Sequence, residues 1–245
     1  MINNKLKTLI DFAIGAGHCI KYAASYHYKI EHSTKQREYF EHKRDILLEL
    51  GFTGWERVND KVLKGKLYHT VSFNLHMDDD IKTVFKYIVN KGRKAIDKHL
   101  LNNLDARSLA YWYMDDGSAS KSCKSCSSPG NGIRYYYTYP VPKINRINLY
   151  TYAFTVEENQ LIINWLIENF DIHAKIILSK RDGPYLTVAP KEERLKFISV
   201  VKPYIIPSMQ YKIEGVQSYE GIKPINVEQK RLSEEAPHEE DDATV

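Results

Sequence analysis

Residues 109–117 read LAYWYMDDG, and this stretch decides the fold. An aromatic and apolar run of this kind is typical of a buried helix, whereas two adjacent carboxylates are rarely buried without a partner. The run ends in Asp115 and Asp116, followed by Gly117. We therefore expect a buried helix whose last turn carries two carboxylates held by another group.

A second nine-residue stretch, LIDFAIGAG at residues 9–17, also begins with Leu and ends with Gly. Its last residue, Gly17, lies 100 positions before Gly117. Small residues such as Ala13, Gly15 and Ala110 let two helices approach closely, while the larger apolar residues fill the core of each half. The two stretches therefore predict a pair of helices that pack together and end side by side.

The residues after each stretch repeat the same order of elements. In the first half, alternation of Tyr26, Tyr28 and Ile30 with polar residues predicts a half-buried strand. A helix over 36–50, strands over 56–63 and 68–75, and a helix over 79–89 follow. In the second half we expect two strands within 133–154, a helix over 156–170, strands over 174–179 and 185–189, and a helix over 191–201. The predicted fold class is α+β, with two tandem αββαββα halves at 1–97 and 98–225.

Charge separates the chain into a basic part and an acidic tail. Residues 226–245 contain two basic and seven acidic residues, so the whole-chain counts of 35 and 31 leave 33 basic against 24 acidic residues before them. The net charge over 1–225 is thus +9, which together with 18 tyrosines favours a polyanionic partner. The tail is predicted to be disordered because it repels itself and has little to bury.

Membrane and secretory classes are not indicated. The chain lacks the roughly 18 consecutive apolar residues of a membrane span, and its start lacks the pattern of a signal peptide. We expect an intracellular protein of the cytoplasm or an organelle matrix. Among three cysteines, Cys123 and Cys126 form a lone CxxC, which without further ligands favours free thiols over zinc.

The two nine-residue stretches resemble the paired motifs of the LAGLIDADG homing endonucleases, in their single-chain, pseudo-symmetric form. Residues 203–213, PYIIPSMQYKI, are also similar to mitochondrial intron-encoded members of that family. The resemblance implies two antiparallel, saddle-shaped sheets packed through two central LAGLIDADG helices. It also implies a monomer that binds a long, asymmetric site in double-stranded DNA. Phosphodiester hydrolysis would use Mg²⁺ or another divalent cation such as Mn²⁺.

The resemblance also assigns roles to individual residues. Asp116 matches the metal-binding Asp at the eighth motif position, and Asp115 matches the adjacent acid. Gly15, at the seventh position of the first motif, belongs to the metal set in the same way. Lys212 matches the basic residue beside the cleavage site, and its counterpart in the first half is Arg93 or, with a shift of one residue, Lys94.

The first motif departs from the family pattern, because its eighth position is Ala16. Alanine offers no oxygen to a metal, and Asp11 lies more than a turn earlier on another side of the helix. His18 could ligate but is expected to be a histidine at the start of a strand. Cleavage could therefore be impaired or limited to nicking, and Ala16 could be natural or engineered. The alternative function is a catalytically inactive DNA-binding protein or an intron-RNA maturase-like protein.

DNA contacts are expected from polar residues on the predicted strands and their turns, because strands can read bases in the major groove. Residues 118–132 are expected to form a loop that adds backbone contacts. The candidate contact residues are His27, Lys29, Arg57, Lys61, Lys64, Lys66, Arg134, Tyr136, Lys143, Arg146, Lys180 and Arg181.

Overall fold

The computed structural model describes residues 2–22, 25–63, 65–121, 125–127, 134–136 and 144–214. The first half has the order αββαββα. Its elements are α1 (Asn4–Ile14), β1 (Gly17–Tyr22), β2 (Ser25–Ser33), α2 (Arg37–Glu49), β3 (Gly54–Leu63), β4 (Lys66–Leu75) and α3 (Asp79–Ile88).

A short connection leads into the second half. It contains the two-residue strands β5 (Val89–Asn90) and β6 (Arg93–Lys94) and the helix α4 (Lys98–Leu101). The second half repeats the order with α5 (Ala106–Asp116), β7 (Gly117–Lys121), β10 (Ile144–Leu149), α6 (Val156–Phe170), β11 (Lys175–Ser179), β12 (Gly183–Val188) and α7 (Lys191–Val201). Short strands β8 (Ser125–Ser127) and β9 (Arg134–Tyr136) lie between β7 and β10, and a 3₁₀ helix spans Pro207–Lys212.

Each half contains one four-stranded antiparallel sheet. The strand orders are β1-β2-β4-β3 and β7-β10-β12-β11, which are the same order in the two halves. The α+β class and the paired arrangement predicted from the sequence are thus confirmed. The division at residue 97 stays a prediction, and the acidic tail lies outside the described residues.

The first hairpin of the second half was predicted in the wrong place. We expected two paired strands within 133–154, but β10 pairs with β7, directly after α5, whereas β9 pairs with β8. Residues 118–121, expected to begin a loop, belong to β7. Small polar residues such as Ser118 and Ser120 carry little strand signal, and pairing with β10 decides their conformation.

Local sequence explains where the central helices begin. Asn3 caps α1 by accepting a hydrogen bond from the Leu6 N–H at 2.7 Å. Asp105 caps α5 in a capping box with Ser108, in which each side chain accepts from the other residue's N–H. These caps satisfy N–H groups that have no partner inside the helix. Both helices are buried, with Leu9, Ala13, Leu109 and Ala110 fully inaccessible.

No helix among the described residues is long and apolar enough to cross a membrane.

Candidate active site and nucleic-acid interface

The seam between α1 and α5 carries polar contacts at its N-terminal end. Asp11 is fully buried there and accepts from Lys7 Nζ at 2.5 Å and from Ser108 Oγ at 2.6 Å. Arg107 Nε lies 3.3 Å from its other oxygen. Burial raises the pKa of Asp11, while Lys7, Ser108 and Arg107 oppose that shift. Asp11 therefore joins the two halves along the seam, more than one helical turn before position 16.

Asp115 lies at the other end of the seam and is held by groups from the first half. Its two oxygens lie 2.7 and 2.8 Å from Lys43 Nζ, and Oδ2 also accepts from the Ala16 N–H at 2.9 Å. Burial acts to raise the pKa of Asp115, but Lys43, His32 and the Ala16 N–H together hold it below the ordinary value. The Asp115 carboxylate is thus an ionised partner of Lys43, with three short contacts already made.

The carboxylate of Asp116 has a different environment from that of Asp115. Among the described residues, none donates a hydrogen bond to its carboxylate, and its backbone carbonyl accepts from the Tyr150 N–H at 2.9 Å. Burial, followed by repulsion from Asp115, raises the pKa of Asp116 to about 6, although Lys94, Lys43 and Lys212 oppose this. A partly buried carboxylate among cationic groups is thus left with free oxygens at the end of α5. Perturbed carboxylates of this kind are frequent at functional sites.

Two lysines hold the backbone at the ends of the central helices. Lys212 Nζ donates to the carbonyls of Tyr113, Met114 and Gly117 at 3.2, 2.5 and 2.9 Å. These three contacts use the three N–H donors of an ammonium group. In the other half, Lys94 Nζ donates to the Gly15 carbonyl at 2.5 Å.

Burial lowers the pKa of both lysines, to about 8 for Lys212, and both Asp115 and Asp116 raise it. Lys94 and Lys212 thus occupy equivalent places at the two helix ends. Arg93, the other candidate, points elsewhere: its guanidinium contacts Glu158 at 2.9 Å and is nearly half exposed.

The first-motif end presents no acid that corresponds to Asp116. Ala16 occupies that position, and Gly15 offers a metal only its backbone carbonyl, which Lys94 already contacts. His18 is exposed on β1, opposite Lys29 of β2 in the sheet register. No group of three or more His, Cys, Asp and Glu residues that could hold a metal occurs in the described ranges.

The oxygen atoms available at the end of α5 nevertheless suit one hard divalent cation. Mg²⁺ keeps several waters and is usually bound through one or two carboxylates together with substrate phosphates. Asp116 supplies one such carboxylate with free oxygens, and Lys94, Lys43 and Lys212 bring positive charge near it. At the corresponding end of α1, Ala16 offers no carboxylate.

The outward face of the first sheet carries three of the predicted contact residues. Lys29 of β2 lies opposite Asn74 of β4, which lies opposite Trp55 of β3. His27 and Arg57 are exposed at strand positions on the same face, whereas Tyr28 and Ile30 point into the core. The alternation predicted for β2 is therefore observed.

The remaining predicted contact residues are distributed unevenly. Lys66 is exposed at the start of β4, Arg146 is exposed on β10, and Lys180 and Arg181 are exposed in the turn between β11 and β12. Lys61 lies on β3, while Arg134 and Tyr136 lie on β9, but their side chains are outside the described part. Lys64, Lys143, Cys123 and the side chain of Cys126 are also outside it.

The outward face of the second sheet has an aromatic cluster that sequence reasoning missed. The rings of Tyr150, Tyr152 and Tyr185 lie 5.3 to 5.8 Å apart, centroid to centroid. The Tyr150 hydroxyl is 2.9 Å from Ser118 Oγ, two residues after Asp116. In the register of the first sheet, Glu31 and Ser72 stand at the positions of Tyr150 and Tyr185, and Arg57 stands at the position of Ile177. The two halves therefore present different chemistry beside the seam.

A family model described as the LAGLIDADG DNA endonuclease family matches residues 15–197. This match covers most of the chain. The chain belongs to the LAGLIDADG DNA endonuclease family. The predicted resemblance is thus confirmed.

Individual relatives include both endonucleases and a maturase. A probable intron-encoded endonuclease 1 of Wickerhamomyces canadensis is 28% identical over 211 residues, which cover 84% of this chain and 82% of the relative. The cytochrome b mRNA maturase bI2 of Saccharomyces cerevisiae is 29% identical over 157 residues. That match covers 61% of this chain and 32% of the maturase, so the chain spans about a third of that relative.

A solved structure agrees with the LAGLIDADG fold. The homing endonuclease I-WcaI bound to its DNA recognition sequence matches with a TM-score of 0.69 and 24% identity, over 87% of this chain and 88% of that one.

Sequence reasoning also missed Lys43. It lies on the buried face of α2 with Tyr39, Phe40 and Leu47, where the helical spacing calls for an apolar residue. A lysine on an otherwise apolar helix face was the available signal, since such a residue needs a buried counter-charge.

Proposed function

We propose that this chain is a site-specific DNA-binding homing endonuclease that uses one divalent cation, Mg²⁺ or Mn²⁺, held at Asp116. The observation that supports this is the difference between the two motif ends. The Asp116 carboxylate has free oxygens beside three lysines, whereas Ala16 occupies the equivalent position. We therefore propose that cleavage is impaired and that any residual activity favours a nick in one strand.

We propose a separate role for each group of residues. The outward faces of the two sheets bind the duplex and set its register through Lys29, Arg57 and Arg146. Asp116 is the carboxylate ligand, and a bound cation would activate water and neutralise the leaving oxygen. Lys94 and Lys212 place positive charge beside the phosphate, which favours the charge that develops there.

One chain supplies both halves of the pseudo-symmetric pair, so we propose that it binds DNA as a monomer. The two faces differ in chemistry, with Arg57 in one row and Tyr185 in the other, which favours an asymmetric site.

The test uses a supercoiled plasmid that carries the duplex site selected from randomised DNA on the purified chain. With Mg²⁺, we expect slow formation of the nicked circle and little linear product. Asp116→Asn should abolish nicking while binding to the site stays within about tenfold, because the sheet contacts remain. Efficient linearisation by the unmodified chain, or nicking that survives Asp116→Asn, would contradict the proposal.

A second candidate function is supported by the maturase relative and by Ala16. It is nucleic-acid binding without cleavage, on DNA or on intron RNA. Binding of the selected duplex with no nicking in Mg²⁺ or Mn²⁺ would favour this candidate.

A further inference from the structure

The contact between Lys43 and Asp115 crosses the boundary between the two halves. Lys43 belongs to α2 of the first half and Asp115 to the last turn of α5 in the second. Both side chains are fully buried, and the ammonium contacts both carboxylate oxygens at 2.7 and 2.8 Å. A buried ion pair persists only when its geometry is good and its remaining hydrogen-bonding groups are satisfied.

The surroundings of Lys43 meet that condition. Its ammonium lies 4.6, 5.2 and 5.9 Å from the ring centroids of Tyr39, Phe12 and Tyr111. Ring faces attract a cation, most strongly where water is excluded. Aromatic rings thus surround the ammonium on the sides that do not contact Asp115.

Gly15 creates the space that Asp115 occupies. A Cβ atom at position 15 would lie 2.4 Å from Asp115 Oδ2 and 2.6 Å from its Cβ. Any side chain there would therefore displace the carboxylate and break the hydrogen bond that the Ala16 N–H donates to it at 2.9 Å. Gly15 and Asp115 stand at the same position of their two stretches. Because Gly15 has no side chain, the carboxylate of Asp115 fits into the space beside it.

The arrangement has no copy on the other side of the seam. Lys43 is the seventh residue of α2, and the seventh residue of α6 is the buried Ile162. The acid that could pair with a lysine there is replaced by Gly15. The pair is therefore a one-sided feature of the α5 end, which also carries Asp116.

We propose that Lys43 is a positioning residue for Asp116. By holding Asp115 against Gly15 and the Ala16 N–H, it fixes the last turn of α5 from one side, while Lys212 holds the carbonyls of that turn from the other. The Asp116 carboxylate is then presented at the seam with its oxygens free for the cation. This inference rests on the proposed function, because it concerns the metal held by Asp116.

The experiment measures Mn²⁺ affinity by calorimetry and the thermal unfolding midpoint on the full chain. Lys43→Met keeps the length of the side chain and removes its charge. Its matched control is Lys7→Met, which breaks the Lys7–Asp11 pair at the opposite end of the same seam. We expect Lys43→Met to weaken Mn²⁺ binding at least about tenfold, as changes behind a metal ligand commonly do, and Lys7→Met to leave it unchanged.

A double variant separates positioning from folding. Lys43→Met together with Asp115→Asn leaves no unpaired buried charge, so it should unfold near the midpoint of Lys7→Met. We expect its Mn²⁺ affinity to stay at least about fivefold weaker than that of the unmodified chain. Recovery of both stability and Mn²⁺ affinity would show a purely structural role and overturn the proposal.

The proposed function has its own diagnostic outcome. If the unmodified chain binds no Mn²⁺, or if Asp116→Asn binds it equally well, Asp116 is not a metal ligand. The proposed function and the positioning role are then both overturned. If the unmodified chain binds Mn²⁺ through Asp116 and Lys43→Met binds equally well, only the positioning role is overturned.

Discussion

Adjacent carboxylates at the end of α5 have opposite environments. Asp115 is paired with Lys43, and its pKa lies below the ordinary value, whereas the pKa of Asp116 is raised to about 6. Neighbours in sequence therefore differ in what they can bind, because successive side chains on a helix point about 100° apart. Asp115 turns toward the first half, and Asp116 keeps free oxygens.

The raised pKa of Asp116 predicts a pH-dependent stability. The folded chain holds this proton more tightly than the unfolded chain, so ionisation costs stability as pH rises from about 4 to about 6. In metal-free buffer, Asp116→Asn should raise the free energy of unfolding at pH 7 by about 3 kcal/mol and change it little below pH 4. Urea unfolding at both pH values measures this, with the exposed Glu168→Gln as control. An equal effect at both pH values would contradict it.

Ala16 predicts a gain of function by substitution. Ala16→Asp supplies a carboxylate at the position equivalent to Asp116, and the two acids would repel each other until a cation lies between them. We expect Mg²⁺-dependent linearisation of the plasmid that carries the selected site, with a lower metal-free unfolding midpoint. Ala16→Asn is the uncharged control and should not linearise it. Tight binding by Ala16→Asp without cleavage would instead favour the binding-only function.

At the scale of elements, the equivalent rows of the two sheets differ in how they can contact DNA. The first sheet offers the charged side chain of Arg57, whereas the second offers the rings of Tyr150, Tyr152 and Tyr185. A cation bound to phosphate releases counterions, but a ring that packs on sugar or base does not.

This difference predicts two kinds of binding defect. Arg57→Met should weaken DNA binding and reduce the slope of log affinity against log salt concentration by about one. Tyr185→Leu should weaken DNA binding and leave that slope unchanged. Fluorescence anisotropy on the selected duplex between about 50 and 200 mM salt measures both. The control is Lys82→Met, an exposed residue of α3, which packs on the inner and not the outward face of the first sheet. A reduced slope for Tyr185→Leu would rule out a purely apolar ring contact.

At the scale of the whole molecule, charge is separated along the chain. Residues 1–225 carry a net charge of +9, and the last twenty residues reduce the total to +4. A basic protein that contacts many phosphates binds DNA less tightly as salt rises. We therefore expect long-range charge to govern affinity for DNA and the side chains on the outward sheet faces to govern which site is bound.

We accordingly predict a steep salt dependence for the unmodified chain. The log-log slope of duplex affinity against salt should be several units, because several phosphates are neutralised at once. The same anisotropy titration on selected and unrelated duplexes measures it, and both should show a comparable slope. Nearly constant affinity across that range would contradict the nucleic-acid function.

The missing acid at Ala16 stays a prediction that follows from the family resemblance. The sequence by itself determined the repeated order of elements and the two central helices. Those features follow from local periodicity and spacing, which a linear chain displays directly. The helix over 156–170 and the helix over 191–201 were predicted at their observed bounds. The place of β7 was missed, because its pairing with β10 outweighs a weak local signal.

Only the tertiary structure decided how the site residues are used. It brought Lys43 to Asp115 across 72 positions and Lys212 to the carbonyls of the last turn of α5 across more than 90. It also directed Lys94 rather than Arg93 to the end of α1. The state of each charge depends on burial and on partners distant in sequence. Those contacts cannot be inferred from composition or from a motif, because they form only when the two halves pack along the seam.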